Sequence, residues 1–206
     1  TSMDDLRDWS VFRTGVSQRF ITKRNGQSYE WLALNNYIDL YAEDPEFNRD
    51  TSNFFTEVDW RPLTWLRAKT TDQVPLFDDT LDFTEVTSSL QFMPTDWFHF
   101  SLGHYYIMDH PFFRDSNLYS LNTYTRLGDE WGFSTSHRFE SDDNTLEYQQ
   151  YSVHKDFPSW TASLGGIIRD NRRGENEYGV LFSLTLKAFP KASLPVDFQP
   201  GGLGAE

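Results

Sequence analysis

Five tryptophans recur through the chain at nearly constant intervals, and this repeat constrains the fold more than any other feature. The five are Trp31, Trp65, Trp97, Trp131 and Trp160, at spacings of 34, 32, 34 and 29 residues. Each follows a short break rich in Asn, Gly, Pro or Asp, which are turn-forming residues. A period of about 30 residues suits a hairpin of two strands of about 10–12 residues, with one short and one long connection.

Longer polar segments lie about halfway between these breaks, at residues 43–52, 71–80, 109–117, 140–144 and 170–176. Outer-membrane barrels alternate in this way, with tight periplasmic turns and longer external loops. The pattern predicts an all-β fold, an antiparallel transmembrane β-barrel of which about eleven strands are seen. They lie near residues 10–23, 29–41, 53–61, 63–70, 80–92, 97–108, 117–127, 131–139, 145–155, 160–170 and 176–187.

Apolar and polar residues alternate along most of these segments. In the segment 160–169, one face reads Trp160, Ala162, Leu164, Gly166 and Ile168. A period of two indicates a strand, because a helix would group apolar residues at 3.6. The alternation is weak in 63–70 and 145–155, which are predicted as strands mainly from the repeat.

Composition excludes several classes of protein. No segment approaches the ~18 consecutive apolar residues of a membrane helix, which excludes a helical membrane protein. A barrel remains compatible with the mean hydropathy of -0.62, because half of each barrel strand faces a wet lumen. A net charge of -13 argues against a nucleic-acid partner. There is no cysteine, so disulfides, thiol chemistry and cysteine-based zinc sites are excluded.

The tryptophans are predicted to form a girdle at one membrane interface. Each is predicted to begin a strand directly after a short turn, and an indole suits that depth because its N–H can reach water. The alternative is that tryptophan simply favours strands and sheet cores.

The strand count predicts where the chain belongs in a larger protein. An odd number of strands, ending on the periplasmic side, leads us to expect the C-terminal piece of a larger barrel. A complete twelve-stranded barrel with one strand miscounted is the alternative. The first residues have no basic region followed by an apolar core, so we expect a mature, trimmed or fragmentary chain. Residues 1–190 are predicted to be the barrel segment, and 191–206, with two prolines and three glycines, a flexible tail rather than another strand.

The C-terminal sequence resembles a known family. The segments 150–153 (QYSV), 160–165 (WTASLG) and 176–186 (NEYGVLFSLTL) are similar to the last strands of the lipopolysaccharide-assembly outer-membrane protein, the organic-solvent-tolerance family. The likeness covers about the last 60 residues, and a vaguer similarity extends over the rest.

The resemblance implies a very large barrel in the outer membrane of Gram-negative bacteria. Its implied partners are outer-membrane lipids and lipopolysaccharide, a plug lipoprotein, and a periplasmic bridge that delivers lipopolysaccharide for release into the outer leaflet. The chain departs from the family in having no cysteine pair, and in lacking the periplasmic domain and the first barrel strands. We expect that this piece alone does not transport.

Catalytic, cofactor and metal sites are not predicted, although two candidates exist. His99 and Ser101 are two residues apart and would share a strand face, as a lipase-like pair would. Loop carboxylates suit divalent cations, the best candidates being Asp78, Asp79, Asp82, Asp142 and Asp143. Gly165-Gly166 is interpreted as room for strand curvature or neighbouring bulk, since no helix follows it. The two alternatives to lipopolysaccharide export are a small porin-like channel and an outer-membrane hydrolase.

Overall fold

The chain is all-β and antiparallel. The computed structural model describes residues 10–43, 49–77, 82–172 and 174–188, and the backbone alone of 193–198. The strands are β1 (Ser10–Arg24), β2 (Gln27–Glu43), β3 (Phe54–Leu63), β4 (Leu66–Val74), β5 (Thr84–Thr95), β6 (Phe98–Met108), β7 (Ser116–Leu127), β8 (Trp131–Glu140), β9 (Thr145–Asp156), β10 (Trp160–Arg169), β11 (Glu177–Leu186) and β12 (Ser193–Phe198).

The strands follow one another in the sheet in the order of the sequence, so each hydrogen-bonds to the strand before it. The strands β1 and β12 are the first and last in this order. No helix in the described part of the chain is long and apolar enough to cross a membrane.

All eleven predicted strands are present, and the antiparallel all-β prediction is confirmed. The two weakly patterned segments form β4 and β9, and β9 pairs along its length with both β8 and β10. Pairing from both sides explains why β9 forms despite its weak alternation, because the ladder depends on the register of its neighbours more than on its own pattern.

Short and long connections alternate from β1 to β11. The short ones hold two or three residues, at 25–26, 64–65, 96–97, 128–130 and 157–159, and the others hold four to ten. Asn25 and Gly26 both have positive φ, of 51° and 79°, as a two-residue hairpin turn with the twist of the strands requires.

The prediction that every tryptophan begins a strand is correct for Trp131 and Trp160 and wrong for the other three. Trp65 and Trp97 lie in the two-residue turns, and Trp31 is the fifth residue of β2. The break before Trp65 contains Pro62, and a proline there indicates a turn from sequence alone. Pro62 instead lies in a register shift between Trp60 and Leu63, where a ladder tolerates a residue without an N–H.

The C-terminal segment also differs from its prediction. Residues Ser193–Phe198 form β12, antiparallel to β11, within the stretch predicted to be a flexible tail. Pro195 has no N–H to donate to a neighbouring strand, but a strand at the edge of a sheet tolerates this. The nearby prolines and glycines are the reason that the sequence predicts a flexible segment here instead of a strand. Residues 189–192 and 199–206 lie outside the described part.

The chain divides into two compact units, each described by itself below. Unit 1 comprises Thr1–Ser89 and Tyr105–Ser116, and unit 2 comprises Leu90–His104 and Asn117–Glu206. Unit 1 therefore contains β1 to β4, and unit 2 contains β7 to β12.

Candidate functional site

The strands β7 to β11 of unit 2 have one predominantly apolar face. Cross-strand partners place large apolar side chains beside one another, as in the pairs Leu164–Phe182 and Phe133–Val153. We call this the apolar face of unit 2. Its large apolar members are Tyr119, Leu121, Leu127, Trp131, Phe133, Phe139, Tyr151, Val153, Trp160, Leu164, Ile168, Tyr178, Val180, Phe182, Leu184 and Leu186.

This apolar face is open to the surroundings. Leu164 is 59% exposed and Tyr178 is 61% exposed, and their neighbours Val180 and Phe182 are also exposed. A water-soluble sheet covers such a face with a second layer, because each buried apolar side chain contributes about 1.5–3 kcal/mol. No helix in the described residues could supply that layer.

The few polar groups on the apolar face bond to one another. Thr123 and Thr135 are cross-strand partners whose hydroxyl oxygens lie 2.8 Å apart. Nε2 of His137 lies 3.0 Å from the hydroxyl of Tyr151, which also donates to Gln149 Oε1 at 3.2 Å. Mutual pairing of this kind satisfies the hydrogen-bonding groups of polar side chains that lie among apolar neighbours.

The opposite face of the same strands is polar and more enclosed. We call it the polar face of unit 2. Ser136 Oγ donates to Asn122 Oδ1 at 2.7 Å, and Gln150 bonds to Tyr148 at 2.5 Å and to Ser152 at 3.2 Å. Ser152 is only 5% exposed. The distribution is thus inverted relative to a soluble sheet, since the polar face is the one that is covered.

The first hairpin of unit 1 has its charged pair on the side of β1 opposite Phe12, Val16 and Phe20, and we call the side of the pair the polar side of unit 1. Phe12 is 66% exposed, and Val16 and Phe20 are exposed too. On the polar side, Arg13 donates from Nε and Nη2 to the two oxygens of Asp39 at 2.7 and 2.8 Å. Both sides of β1 are exposed, since Val11, on the side of Arg13, is 44% exposed.

Charge pairing continues along the polar side of unit 1. Asp59 accepts from Nε and Nη2 of Arg67 at 3.0 and 2.7 Å, and also from Arg61. Asn35 lies 2.5 Å from Ser17 Oγ and donates to Glu57 at 3.3 Å. These strand carboxylates are paired rather than left as open binding groups.

The predicted girdle tryptophans have varied contacts. Trp31 lies 5.8 Å from the ring of Phe20, and Trp160 stacks on Phe157 at 3.9 Å. Trp97 lies 6.1 Å from Phe98 and is more than half exposed. All five lie in a short turn or within five residues of one. Their role at a membrane interface stays a prediction.

The pair proposed for a hydrolase is not brought together. His99 stacks on the ring of Tyr124 at 5.0 Å, and Ser101 Oγ accepts from Asn122 at 3.5 Å. A different histidine contacts serine, since His154 Nε2 lies 2.8 Å from Ser134 Oγ and Nδ1 lies 2.7 Å from Ser163 Oγ.

Sequence reasoning missed this cluster because its three residues lie on three strands and meet only through the sheet register. It has no carboxylate within hydrogen-bond distance to orient the imidazole in the described structure, and it therefore reads as part of the hydrogen-bonded polar face.

Among the acidic loop candidates, Asp143 has a basic partner in the same part of the structure. Asp143 Oδ2 lies 2.7 Å from Arg172 Nη1, and Glu140 Oε2 lies 3.5 Å from Nη2 of the same arginine. Glu147 also forms an ion pair with Arg172. No cluster of three or more metal-ligating side chains occurs among the described residues. Asp78 and Asp79 lie outside them.

Comparison of the chain with models of protein families, with curated proteins and with solved structures gave no match.

Proposed function

We propose that the chain forms part of the wall of an outer-membrane β-barrel. The observation that carries this proposal is the inverted sheet, in which Leu164 and Phe182 are exposed while Ser152 on the opposite face is covered. A lipid bilayer stabilises such a sheet, because its acyl chains cover the apolar face and the strands satisfy one another's backbone groups.

The connections support the same proposal. From β1 to β11, turns of two or three residues alternate with longer, charged connections. Bacterial barrels have this asymmetry because short periplasmic turns and longer external loops close the same hairpins. The strands β1 to β11, of nine to seventeen residues, also reach the about 9–11 residues that a tilted membrane strand requires.

The position of Lys155 fits a lipid boundary. It is the one charged side chain among the paired positions of the apolar face of unit 2, and it lies at the short-turn end beside Trp131. A lysine there keeps its stem against apolar surface and its ammonium in the headgroup region.

We further propose that the barrel serves lipopolysaccharide transport and assembly. This finer proposal is supported by the resemblance of three segments to the lipopolysaccharide-assembly family, and these segments fall on β9, β10 and β11. A porin-like channel is the alternative that the same wall would suit.

Membrane insertion is tested with two neighbouring substitutions on β11. Phe182→Arg places a charge on the apolar face, and Ser183→Arg places the same charge on the polar face. We expect Phe182→Arg to destabilise the chain in lipid vesicles by about 2–4 kcal/mol, as a cation at the bilayer midplane does, and Ser183→Arg to cost much less. Equal losses, or a wild-type chain that folds in water without detergent, would contradict the wall proposal.

Lipopolysaccharide transport is tested by photo-crosslinking in Gram-negative cells. A photoreactive residue at Gln150 on the polar face should capture lipopolysaccharide in transit, detected as an adduct that reacts with an antibody against its saccharide. A channel for small solutes predicts no such adduct at Gln150. The same residue at Phe182 on the apolar face serves as the control for contact with resident membrane lipid.

A further inference from the structure

Two arginines on the polar face of unit 2 flank one tyrosine. Arg138, Tyr148 and Arg169 are direct cross-strand partners on β8, β9 and β10. Cζ of Arg138 lies 5.5 Å from the centre of the Tyr148 ring, and Cζ of Arg169 lies 5.8 Å from it. The ring is held in place because its hydroxyl donates to Gln150 Oε1 at 2.5 Å.

Neither guanidinium has an ion pair or hydrogen bond to any described residue, and each lies over the tyrosine ring. The arginines that pair in unit 2 do so with specific carboxylates, as Arg172 does with Asp143. Arg138 and Arg169 therefore present ten N–H donors between them to the space around Tyr148.

The nearby carboxylates are already engaged. Glu147 is the extra residue of a register shift between β8 and β9, and it forms an ion pair with Arg172. Asp170 accepts a hydrogen bond from the backbone N–H of Arg172 at 2.8 Å. Glu177, the direct partner of Arg169 across β10 and β11, accepts a hydrogen bond from Asn171 Nδ2 at 2.9 Å. Each of these carboxylates therefore has a hydrogen-bond or ion-pair partner other than Arg138 and Arg169.

A cavity of about 450 Å³ opens at this point. It is lined by Arg138, Arg169 and Arg172 and by Glu147, Tyr148, Asp170 and Asn171, and the Glu147 carboxylate is the one that pairs with Arg172. Its volume lies in the range of small-molecule sites, about 300–1,000 Å³. A phosphate group matches it best, because planar guanidinium forks donate pairs of hydrogen bonds to phosphate oxygens.

We propose that this cavity binds a phosphate monoester, with Arg138 and Arg169 holding the phosphate and Tyr148 lying between them. The group can be borne by a soluble sugar phosphate or by a lipid headgroup. The binding site needs the folded sheet of unit 2 and does not depend on transport or on the identity of the substrate.

The test uses the full chain folded in uncharged detergent micelles, with calorimetric titration of glucose 1-phosphate in one arm and of phosphatidic acid in mixed micelles in the other. We expect binding in at least one arm, and the arm that responds identifies the source. Arg138→Gln and Arg169→Gln should each weaken binding at least tenfold. Arg126→Gln is the matched control, because Arg126 is a polar-face arginine with partners of its own.

A second measurement needs no variant. The wild-type chain is modified with phenylglyoxal, an arginine-selective reagent, with and without the responding ligand, and the sites are mapped by mass spectrometry. Protection of Arg138 and Arg169 but not Arg126 supports the site. Absence of binding in both arms, or equal reaction of all three arginines with and without ligand, overturns it. The two proposals can fail separately. If Phe182→Arg and Ser183→Arg insert into vesicles equally well but the wild-type chain still binds the phosphate ligand, the wall proposal is wrong and the phosphate site stands.

Discussion

Lys155 Nζ lies 4.6 Å from the centre of the Trp131 ring, and the two residues are direct partners across β8 and β9. Lys155 also forms an ion pair with Glu130 in the adjacent turn. The lysine therefore ties the tryptophan, the turn and the start of the strand into one cluster at the short-turn end.

Replacing Lys155 with glutamine should destabilise the folded chain. The substitution removes both the cation over the indole and the ion pair with Glu130, each worth about 0.5–1 kcal/mol at an exposed site. Urea unfolding in lipid vesicles measures the loss. Lys155→Arg keeps the charge and the ring contact, so it should remain close to wild type, and equal behaviour of the two variants would count against this cluster.

Gly165 and Gly166 are adjacent, yet we expect alanine to have opposite effects at them. A Cβ on Gly165 would lie 2.8 Å from the carbonyl oxygen of Tyr151 and would also meet the side chain of Ser152. A Cβ on Gly166 meets nothing closer than 4.0 Å. Crowding of this kind costs about 1–3 kcal/mol.

Gly165→Ala should therefore lower the unfolding midpoint in urea. Gly166→Ala should leave it unchanged or raise it slightly, because alanine reduces the freedom of the unfolded chain by about 0.4–1 kcal/mol. A larger loss at Gly166 than at Gly165 would show that the sheet register at β9 and β10 differs from the one described.

Arg172 joins two long connections, and its loss should release both. Its guanidinium pairs with Glu140 and Asp143 beside the β8–β9 connection and with Glu147 at the start of β9. Glu140 has a side chain only 4% exposed, and a buried carboxylate without its cation is destabilising by about 1–3 kcal/mol. We expect Arg172→Ala to speed limited proteolysis at residues 141–144 and 170–176.

Arg172→Lys is the matched variant for this loop contact. Lysine keeps the positive charge but lacks the planar guanidinium that contacts three carboxylates. The cleavage rate of Arg172→Lys should therefore lie between those of wild type and Arg172→Ala. Raising the salt concentration should narrow the difference in cleavage rate between wild type and Arg172→Ala only in part, because these ion pairs are partly buried and salt screens such pairs less than exposed ones. If neither substitution changes the cleavage rate, Arg172 does not hold the two connections in place.

The turn between β1 and β2 offers a backbone test. Gly26 has φ of 79° and open space around it, so a larger residue there is opposed by backbone strain rather than by a clash. Gly26→Val should cost about 1–2 kcal/mol of hairpin stability. Asn25→Gly should be nearly neutral, since Asn25 already has a positive φ, and both are measured by urea unfolding.

The sequence predicted the strands well because two independent signals coincide. Alternation of residues such as Trp160, Ala162 and Leu164 sets the faces, and the turn residues of each hairpin set the boundaries. The prediction is wrong at two prolines, because proline occurs both in turns and at irregular or edge positions of strands. Pro62 marks a bulge near the end of β3 rather than a turn, and Pro195 lies within β12.

The charged cavity could not be found in the same way. Arg138, Tyr148 and Arg169 are far apart in sequence and become neighbours only through the β8–β9–β10 register. That register includes a shift at Glu147, which the local amino-acid sequence does not predict. The same holds for the contact of His154 with Ser134 and Ser163, whose positions depend on two pairings at once.

The exposure of apolar side chains such as Phe12, Leu164 and Tyr178 also affects how the newly made chain behaves in water. Large continuous apolar surfaces associate with one another in water, and partly folded chains do so most readily. We therefore expect a newly made copy to aggregate in water unless another component covers these side chains, and the rate at which they are covered would set how much of the chain escapes aggregation.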